Sequence, residues 1–371
     1  MSKLEQLIME LCPNGVEFLP IGKVVSYEQP TKYIVRSTRY DDDYKTPVLT
    51  AGQTFILGYT NETDGIYSAS KEKPVIIFDD FTGAFKCVSF PFKVKSSAMK
   101  ILHADCSKTT LRYIYHIMGY LNFSSDEHKR LWIGIFSSFK IPVPPLPVQR
   151  EIVRILDNFA ELTAELTAEL TARKKQYEYY QAKLSAFDMN KADWTTLSKI
   201  ADIGTGSSNT NEELEVGEYP FFVRSQEVRR KNTFEYDETA TITSGDGVGV
   251  GKIFHYVEGK YALHQRAYRI HITDERILSK FYFYYMKSAF LPYIEKTSFH
   301  SSVTSIRRPM LSNFPVPVPP LEEQKRIVAI LDRLDALCND LTSGLPAEIE
   351  ARRKQYEYYR DKLLTFKEKT A

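Results

Sequence analysis

The sequence predicts a duplicated protein of mixed α+β class: two α/β globular domains, each followed by long helices, with the helices paired as an antiparallel coiled coil. Three observations predict this pseudo-twofold fold. The sequence repeats itself at an offset of 175 residues, each front carries strand-like segments, and each back carries a helical apolar stripe. A chain of 371 residues is also long enough for two or three domains.

The internal repeat is the strongest of these signals. Residues 143–157 read VPPLPVQREIVRILD and residues 318–332 read VPPLEEQKRIVAILD, with ten of fifteen positions identical. Residues 173–184 and 352–363 share nine of twelve positions around a common KQYEYY. Such self-similarity defines the architecture before any local pattern does. We therefore expect a first globular domain at 1–146, a first helical region at 147–187, a second globular domain at 188–320 and a second helical region at 321–371.

The two fronts share little beyond a skeleton. Residues 75–78 read VIIF, which is typical of a buried strand, and the glycines of residues 245–251 suit a hairpin. The aromatic runs at 111–115 and 280–285 are compatible with either a helix or a strand. These signals together predict mixed α/β domains.

The two backs carry apolar residues at steps of three and four, from Ile152 to Leu184 and from Ile327 to Leu363. The first back contains AELT three times over residues 160–171, and the second is longer by four residues, close to one helical turn. Gly344 and Pro346 should interrupt the second helix. Mutual pairing is the economical arrangement for the stripes, and separate packing of each helix on its own domain is the alternative.

Composition excludes several classes of protein. An apolar fraction of 43% and a charged fraction of 26% exclude wholesale disorder. The four cysteines, Cys12, Cys87, Cys106 and Cys338, are too scattered for a disulfide framework or a zinc knuckle. No apolar run approaches the ~18 residues of a membrane span. We therefore expect a cytoplasmic protein that does not associate with a membrane. A net charge of +2 neither requires nor excludes nucleic acid.

Catalytic motifs fail on inspection. Residues 244–252 look like a phosphate loop, but Asp246 and Ile253 occupy the positions where that motif needs glycine and a hydroxyl residue. An isolated pair, Glu127 and Lys129, is a weak nuclease candidate among 47 carboxylates. The histidines show no metal-ligand spacing. The sequence therefore predicts no catalytic residue, no metal site and no cofactor in this chain.

Candidate DNA contacts are better supplied. Basic clusters suit phosphate contacts, although such clusters are often only solvated faces; they comprise Lys93, Lys95, Lys100, Lys129, Arg130, Arg229, Arg230, Lys231, Arg307 and Arg308. The segments HQRA (264–267) and DGVG (246–249) place bidentate side chains beside glycine, as base-edge contacts require, although strand ends and turns can look the same. From this part of the chain we take Asp246, Lys252, His264, Gln265, Arg266 and Arg269.

Candidate protein contacts lie in the duplicated KQYEYY runs. Tyrosine is favoured at interfaces because it buries a large ring and keeps a polar tip. The candidates are Gln176, Tyr177, Tyr179 and Tyr180 in the first run, and Gln355, Tyr356, Tyr358 and Tyr359 in the second. The alternative, to which we give equal weight, is that these residues only pack within the coiled coil.

Two divergent fronts, each followed by PPLxxQxxIVxILD and KQYEYY, resemble the specificity (S) subunit of type I restriction-modification enzymes, and the AELT repeats resemble its IC branch. The resemblance implies that the fronts are target recognition domains, each reading half of a bipartite, asymmetric site in double-stranded DNA. It also implies docking of two modification subunits, with restriction/translocase subunits in the full complex.

The same resemblance implies a non-catalytic chain within an adenine-N6 DNA methyltransferase and ATP-dependent endonuclease. S-adenosylmethionine, ATP and Mg are then expected in the partner subunits. The alternative is a self-sufficient DNA-modifying or DNA-cleaving enzyme whose active site carries no recognisable motif.

Overall fold

The computed structural model describes residues 2–50, 54–123, 130–185, 193–297 and 305–369. Its contacts divide the chain into two units that cut across the repeat. Unit 1 is Met1–Glu165 together with Ile349–Ala371, and unit 2 is Leu166–Glu348. Each unit therefore contains one front and helical segments from both repeats.

The elements of unit 1 form two-, four- and three-stranded sheets, ordered β1-β9, β2-β8-β5-β6 and β4-β3-β7. In chain order they are α1 (Lys3–Leu11), β1 (Glu17–Pro20), β2 (Val25–Glu28), β3 (Thr46–Leu49), β4 (Ile56–Thr60), β5 (Val75–Asp79), β6 (Phe85–Val88), β7 (Lys93–Val94), β8 (Met99–Ala104), α2 (Leu111–Leu121), α3 (Leu131–Gly134) and β9 (Lys140–Val143). The helix α4 (Leu146–Ser185) begins in unit 1 and ends in unit 2.

Unit 2 has a two-stranded sheet, β10-β17, and a six-stranded sheet ordered β11-β16-β14-β15-β12-β13. Its elements are β10 (Asp193–Thr196), β11 (Ala201–Thr205), β12 (Tyr219–Phe222), β13 (Arg229–Lys231), β14 (Tyr236–Ser244), β15 (Phe254–Leu263), β16 (Ala267–Ile272), α5 (Ser279–Thr297), α6 (Arg308–Ser312), β17 (Pro315–Val318) and α7 (Leu321–Asn339). The last helix, α8 (Leu345–Leu364), begins in unit 2 and ends in unit 1.

The two fronts repeat one strand framework. The order β2-β8-β5-β6 returns as β11-β16-β14-β15. The parallel pair β3 and β7 returns as the parallel pair β12 and β15. Lys100 opposite Phe78 corresponds to Arg269 opposite Ile242. The predicted duplication of mixed α/β domains is confirmed, and both aromatic runs prove to be helical, in α2 and α5.

The helical stripes pack across the repeat. In unit 1, the ring of Tyr359 on α8 stacks on Phe159 of α4, with ring centroids 5.2 Å apart. In unit 2, Tyr177 on α4 bonds to Asp335 of α7, while Tyr180 lies near Arg326. This reversed order of contacts makes α4 and α7 antiparallel, as predicted. The tail of each repeat thus completes the unit that holds the other repeat's front.

The predicted interruption of the second helix is confirmed between α7 and α8. The carboxylate of Asp340 accepts hydrogen bonds from Thr342 and Ser343, which ends α7. A side chain at Gly344 would place its Cβ only 2.6 Å from the carbonyl oxygen of Ala336. Pro346 is tolerated because it lies in the first turn of α8, where no intrahelical N–H bond is lost.

Candidate nucleic-acid and subunit interfaces

Three loops of unit 2 converge on one carboxylate. Asp246 follows β14, and its Oδ1 accepts from Nη1 of Arg224, after β12, over 2.6 Å. Its Oδ2 accepts from Nη1 of Arg266, between β15 and β16, over 3.1 Å. We call these three residues the arginine triad. Partial burial acts to raise the pKa of Asp246, but hydrogen bonds and charge from the two arginines outweigh it and lower that pKa.

Glycines on both sides hold Asp246 in place. A Cβ at Gly245 would lie 2.5 Å from the carbonyl oxygen of Arg266, and Gly247 has a φ of +84°, which strains any other residue. The next residue, Val248, is 98% exposed. The stretch that resembled a phosphate loop is therefore the connection from β14 to β15, shaped to present Asp246 and an apolar tip.

The residues of the predicted segment HQRA (264–267) differ in exposure and in function. Gln265 and Arg266 are exposed, and the amide of Gln265 donates to Asn209. His264 is buried, and its Nδ1 accepts the backbone N–H of Arg266 over 3.0 Å. Burial, followed by the charge of Arg224, lowers the pKa of His264. His264 is thus a turn-forming residue behind the exposed pair.

The other basic candidates of unit 2 fall into two groups. Three are tied to carboxylates: Lys231 to Glu212 over 2.6 Å, Arg229 to Glu213 and Glu227 over 3.4 and 3.2 Å, and Arg269 to Glu238 over 3.0 Å and to Asp202. The exposed ones are Arg230, Lys252, Arg307 and Arg308, of which Arg308 donates to the carbonyl oxygen of Ile203. The second group retains charge that DNA can reach.

The lysine candidates of unit 1 are mostly interior. Lys93 is 1% exposed and Lys100 is 2% exposed. The Lys93 ammonium lies 2.9 Å from Glu62 Oε2, and the Lys100 ammonium lies 3.4 Å from Asp80 Oδ2. A buried charge needs such a partner, so these placements argue against the phosphate contacts expected of both lysines.

The remaining basic candidates of unit 1 are closer to solvent. Lys95 is half-buried and reaches the hydroxyl of Tyr40 over 3.4 Å. Arg130 is exposed at the start of α3, and Lys129 lies outside the described residues.

The candidate residues of the two KQYEYY runs fall into an interior group and an exposed group. Tyr177 is buried, and its hydroxyl donates to Asp335 over 3.1 Å; Tyr356 is 3.1 Å from His116 Nδ1. Tyr180 and Tyr359 pack against the cores, whereas Gln176 and Gln355 accept from Arg173 and Arg352 on their own helices. These six residues are engaged within the chain. Tyr179 and Tyr358 are each 61% exposed, and each stands edge-on to the next tyrosine.

The last residue of each ILD motif anchors its helix to its own front. Asp157 Oδ1 accepts from Arg112 Nε over 2.7 Å and lies 2.8 Å from His116 Nε2. At the equivalent place, Asp332 accepts from the Tyr284 hydroxyl and lies 3.7 Å from the Lys280 ammonium. Partial burial acts to raise the pKa of Asp157, but His116 and Arg112 outweigh it and lower that pKa.

Two glutamines make the other duplicated anchor. Gln149 is fully buried, and its amide oxygen accepts from the Thr109 hydroxyl and the Thr110 N–H over 2.9 and 3.1 Å. Its amide nitrogen donates to the carbonyl oxygens of Lys108 and Pro144 over 2.9 and 2.7 Å. Gln324 repeats the arrangement with Leu278, Arg276 and Pro319. We call these residues the glutamine clamps.

Sequence reasoning missed both the glutamine clamps and Arg224. The clamps carried a signal, because the glutamine of PPLxxQ is identical in the two repeats while its neighbours differ. Arg224 carried none: it stands apart from every basic cluster and meets Asp246 only through the fold. Within the described ranges, no cluster of three or more His, Cys, Asp or Glu side chains could hold a metal ion. No helix in those ranges has the length and apolar character needed to cross a membrane.

Comparison with known proteins decides the family. The model of the family described as "Type I restriction modification DNA specificity domain" matches the chain twice, over residues 13–173 and 191–351. The chain belongs to this family. It is therefore a non-catalytic type I specificity subunit, whose task is recognition of DNA sequence, and the resemblance read from the repeat is confirmed.

Individual relatives agree with this assignment. The Type I restriction enzyme EcoR124I/EcoR124II specificity subunit of Escherichia coli is 44% identical over 99% of this chain and 97% of its own length. A putative type I specificity subunit of Haemophilus influenzae is 30% identical over 95% and 96%. The crystal structure of the type I S subunit from M. genitalium superposes with a TM-score of 0.68 at 14% identity, covering 94% of this chain and 96% of that one, which shows the shared fold.

Proposed function

We propose that this subunit reads a bipartite, asymmetric site in double-stranded DNA, one half by each recognition domain, and directs adenine-N6 methylation and restriction by partner subunits. The recognition domains are residues 1–146 and 188–320. The observation that carries the proposal is that the two fronts share one strand framework but differ in the loops that it presents.

The loops differ in length and in chemistry. The connection after β5 spans residues 80–84, whereas the equivalent connection after β14 spans residues 245–253 and carries Asp246. The segment between β7 and β8 begins with Lys95 and two serines, whereas the segment between β15 and β16 presents Gln265 and Arg266. Two such surfaces recognise different base pairs, because hydrogen bonds to base edges carry the sequence information.

The basic residues that remain accessible suit phosphate contacts. These are Lys95, Arg130, Arg230, Lys252, Arg307 and Arg308. Phosphate contacts orient a protein on the duplex without reading its sequence. Lys93, Lys100, Lys231 and Arg269 are excluded from the proposal, since carboxylates already neutralise each of them.

Two modification subunits are the proposed protein partners, and restriction/translocase subunits join them in the full complex. The partners supply S-adenosylmethionine, ATP and Mg, and the complex acts in the cytoplasm. The docking surfaces that we propose centre on Tyr179 and Tyr358, which occupy equivalent positions in the two repeats and are equally exposed.

A two-stage methylation assay tests the proposed function. The purified chain is first incubated with DNA and labelled S-adenosylmethionine, and modification subunits are then added. We expect adenine methylation only after the addition, followed by a bipartite motif when methylated adenines are mapped at base resolution. Methylation by the chain alone would instead support a self-sufficient enzyme.

The docking surfaces lead to a separate prediction. Replacing Tyr179 and Tyr358 by glutamate should weaken assembly with modification subunits, because a charge replaces an exposed ring that the partner would bury. The thermal unfolding midpoint of the free chain should not change. Leu341→Glu is the matched control, since Leu341 is 79% exposed and lies outside the KQYEYY runs. Analytical ultracentrifugation measures assembly, and complexes of unchanged stability would remove the docking role.

A further inference from the structure

We infer that the arginine triad reads guanine: Arg224 and Arg266, held by Asp246, donate to the major-groove edge of a G·C pair in the half-site of the second recognition domain. This inference rests on the proposed function and adds the base that this surface selects. It brings in Arg224, which no sequence pattern indicated, and gives Asp246 a positioning role.

Free donors on both arginines support this inference. The Arg224 side chain is 42% exposed and the Arg266 side chain is 63% exposed. Each guanidinium donates to Asp246 through Nη1. Among the described residues, Nε and Nη2 of both arginines have no hydrogen-bond partner. Each arginine therefore retains donors for a ligand.

The donor-only character of this surface selects the base. Guanidinium groups donate hydrogen bonds and accept none. Guanine is the base whose major-groove edge offers two acceptors, O6 and N7, and arginine binds both in a bidentate manner. Adenine offers one acceptor and one donor, which an arginine cannot satisfy. Asp246 is the acceptor of this cluster, and each of its carboxylate oxygens is already bonded to one of the arginines.

The central carboxylate favours a base over a phosphate. Asp246 is 24% exposed between the arginines, so a phosphate bridging them would meet a negative charge. A base edge is neutral and meets no such repulsion. The carboxylate also fixes both side chains before DNA arrives, which lowers the entropy lost on binding. Gly245 and Gly247 fix the carboxylate in turn, through a close approach and a positive φ.

The test uses the assembled modification complex and its mapped site. Arg224→Lys and Arg266→Lys keep the positive charge but remove the guanidinium group that can donate two parallel hydrogen bonds. Asp246→Asn removes the negative charge that holds both guanidinium groups. Methylation rates are measured on duplexes in which each base pair of each half-site is substituted in turn. We expect discrimination at one or two G·C pairs of a single half-site to fall by about 5- to 150-fold, with the other positions unchanged.

Two controls separate base reading from phosphate binding. Lys260→Arg alters an exposed cation of β15 that is not among the proposed DNA contacts, and it should leave discrimination intact. In the wild-type complex, 7-deazaguanine at the affected position should weaken binding, because it lacks the N7 acceptor. A loss that is uniform over all positions, with a shallower dependence of binding on salt, would mean a phosphate contact and overturn the inference.

Failure of the inference is distinguishable from failure of the proposed function. Sequence-specific methylation whose discrimination is unchanged in the lysine variants overturns the reading of guanine alone. A mapped site without a G·C pair in either half does the same. Wild-type complexes that methylate no defined sequence overturn both.

Discussion

One additional AELT unit inserted after Thr171 should lengthen the unread spacer of the DNA site by one or two base pairs and leave both half-site sequences unchanged. The insertion adds four residues to α4, hence ~6 Å of rise and ~40° of rotation beyond a full turn. Two base pairs correspond to ~7 Å of duplex length. A single base pair turns DNA by ~35°, since a turn takes about 10 base pairs. The original site should no longer be methylated.

The structure explains why α4 can accept this change. The helix is continuous from Leu146 to Ser185, and no residue from 160 to 172 is buried. The residues that α4 contributes to the two cores lie before and after that stretch, including Leu156 in unit 1 and Tyr177 in unit 2. A four-residue insertion therefore preserves the packed faces on both sides, because it is close to a whole turn.

Base-resolution mapping of methylated adenines checks the result. Deletion of one AELT unit should shorten the spacer correspondingly. A control insertion of two residues at the same point rotates the following helix by ~200° and should abolish activity on any spacer. The prediction assumes that the length of α4 sets the length of the unread spacer. An active four-residue insertion that keeps the original spacer, or that recognises new half-site bases, would contradict this assumption.

The sequence predicted the fold well where its signals were repeated or periodic. The duplicated motifs, the two ends of the apolar stripe of α4 and the interruption near Gly344 all appear in the structure. The middle of that stripe is not packed, since Leu162 is 45% exposed. The aromatic run at 111–115 remained ambiguous because helix and strand share its residue types. Thr110, whose hydroxyl oxygen accepts the Tyr113 N–H over 3.2 Å, caps α2 and could have indicated a helix.

The candidate site was harder to predict because residues distant in sequence determine whether a charged side chain is paired or exposed. Lys93 pairs with Glu62 and Lys100 with Asp80, so two members of one locally basic cluster prove to form interior ion pairs. The converse holds for Arg224, which is isolated in the sequence but lies beside Asp246 after folding. Exposure of a charge depends on its tertiary partners, whereas clustering reports only its neighbours along the chain.

The sequence also did not predict that the helical end of each repeat packs on the unit of the other repeat, although it identified the tyrosines that make these contacts. Tyr356 meets His116 across 240 positions of sequence, and Tyr177 meets Asp335 across 158. The repeat of KQYEYY indicated a duplicated role but not which front each copy would join. The exposed Tyr179 and Tyr358 share the motif with these interior residues, so one run serves both the interior and the surface of its helix.

The glutamine clamps should prove to be among the most sensitive positions for stability. Gln149→Leu removes the hydrogen bonds that its amide makes to the Thr110 N–H and to two carbonyl oxygens. Gln324→Leu removes the equivalent bond to the Leu278 N–H. Each buried polar group left without a partner costs about 1–3 kcal/mol. We therefore expect each variant to lower the free energy of unfolding by about 3 kcal/mol or more.

Denaturant titration of the full chain measures the loss, and Gln226→Leu is the control because Gln226 is exposed. The control should change stability by no more than about 0.5 kcal/mol. Hydrogen exchange read by mass spectrometry then locates the damage: Gln149→Leu should deprotect the start of α2, and Gln324→Leu the start of α5. Each unit serves as the reference for the other. Equal deprotection of both helices in either variant, or a loss no larger than that of the control, would mean that the clamps do not hold each helical region to its own front.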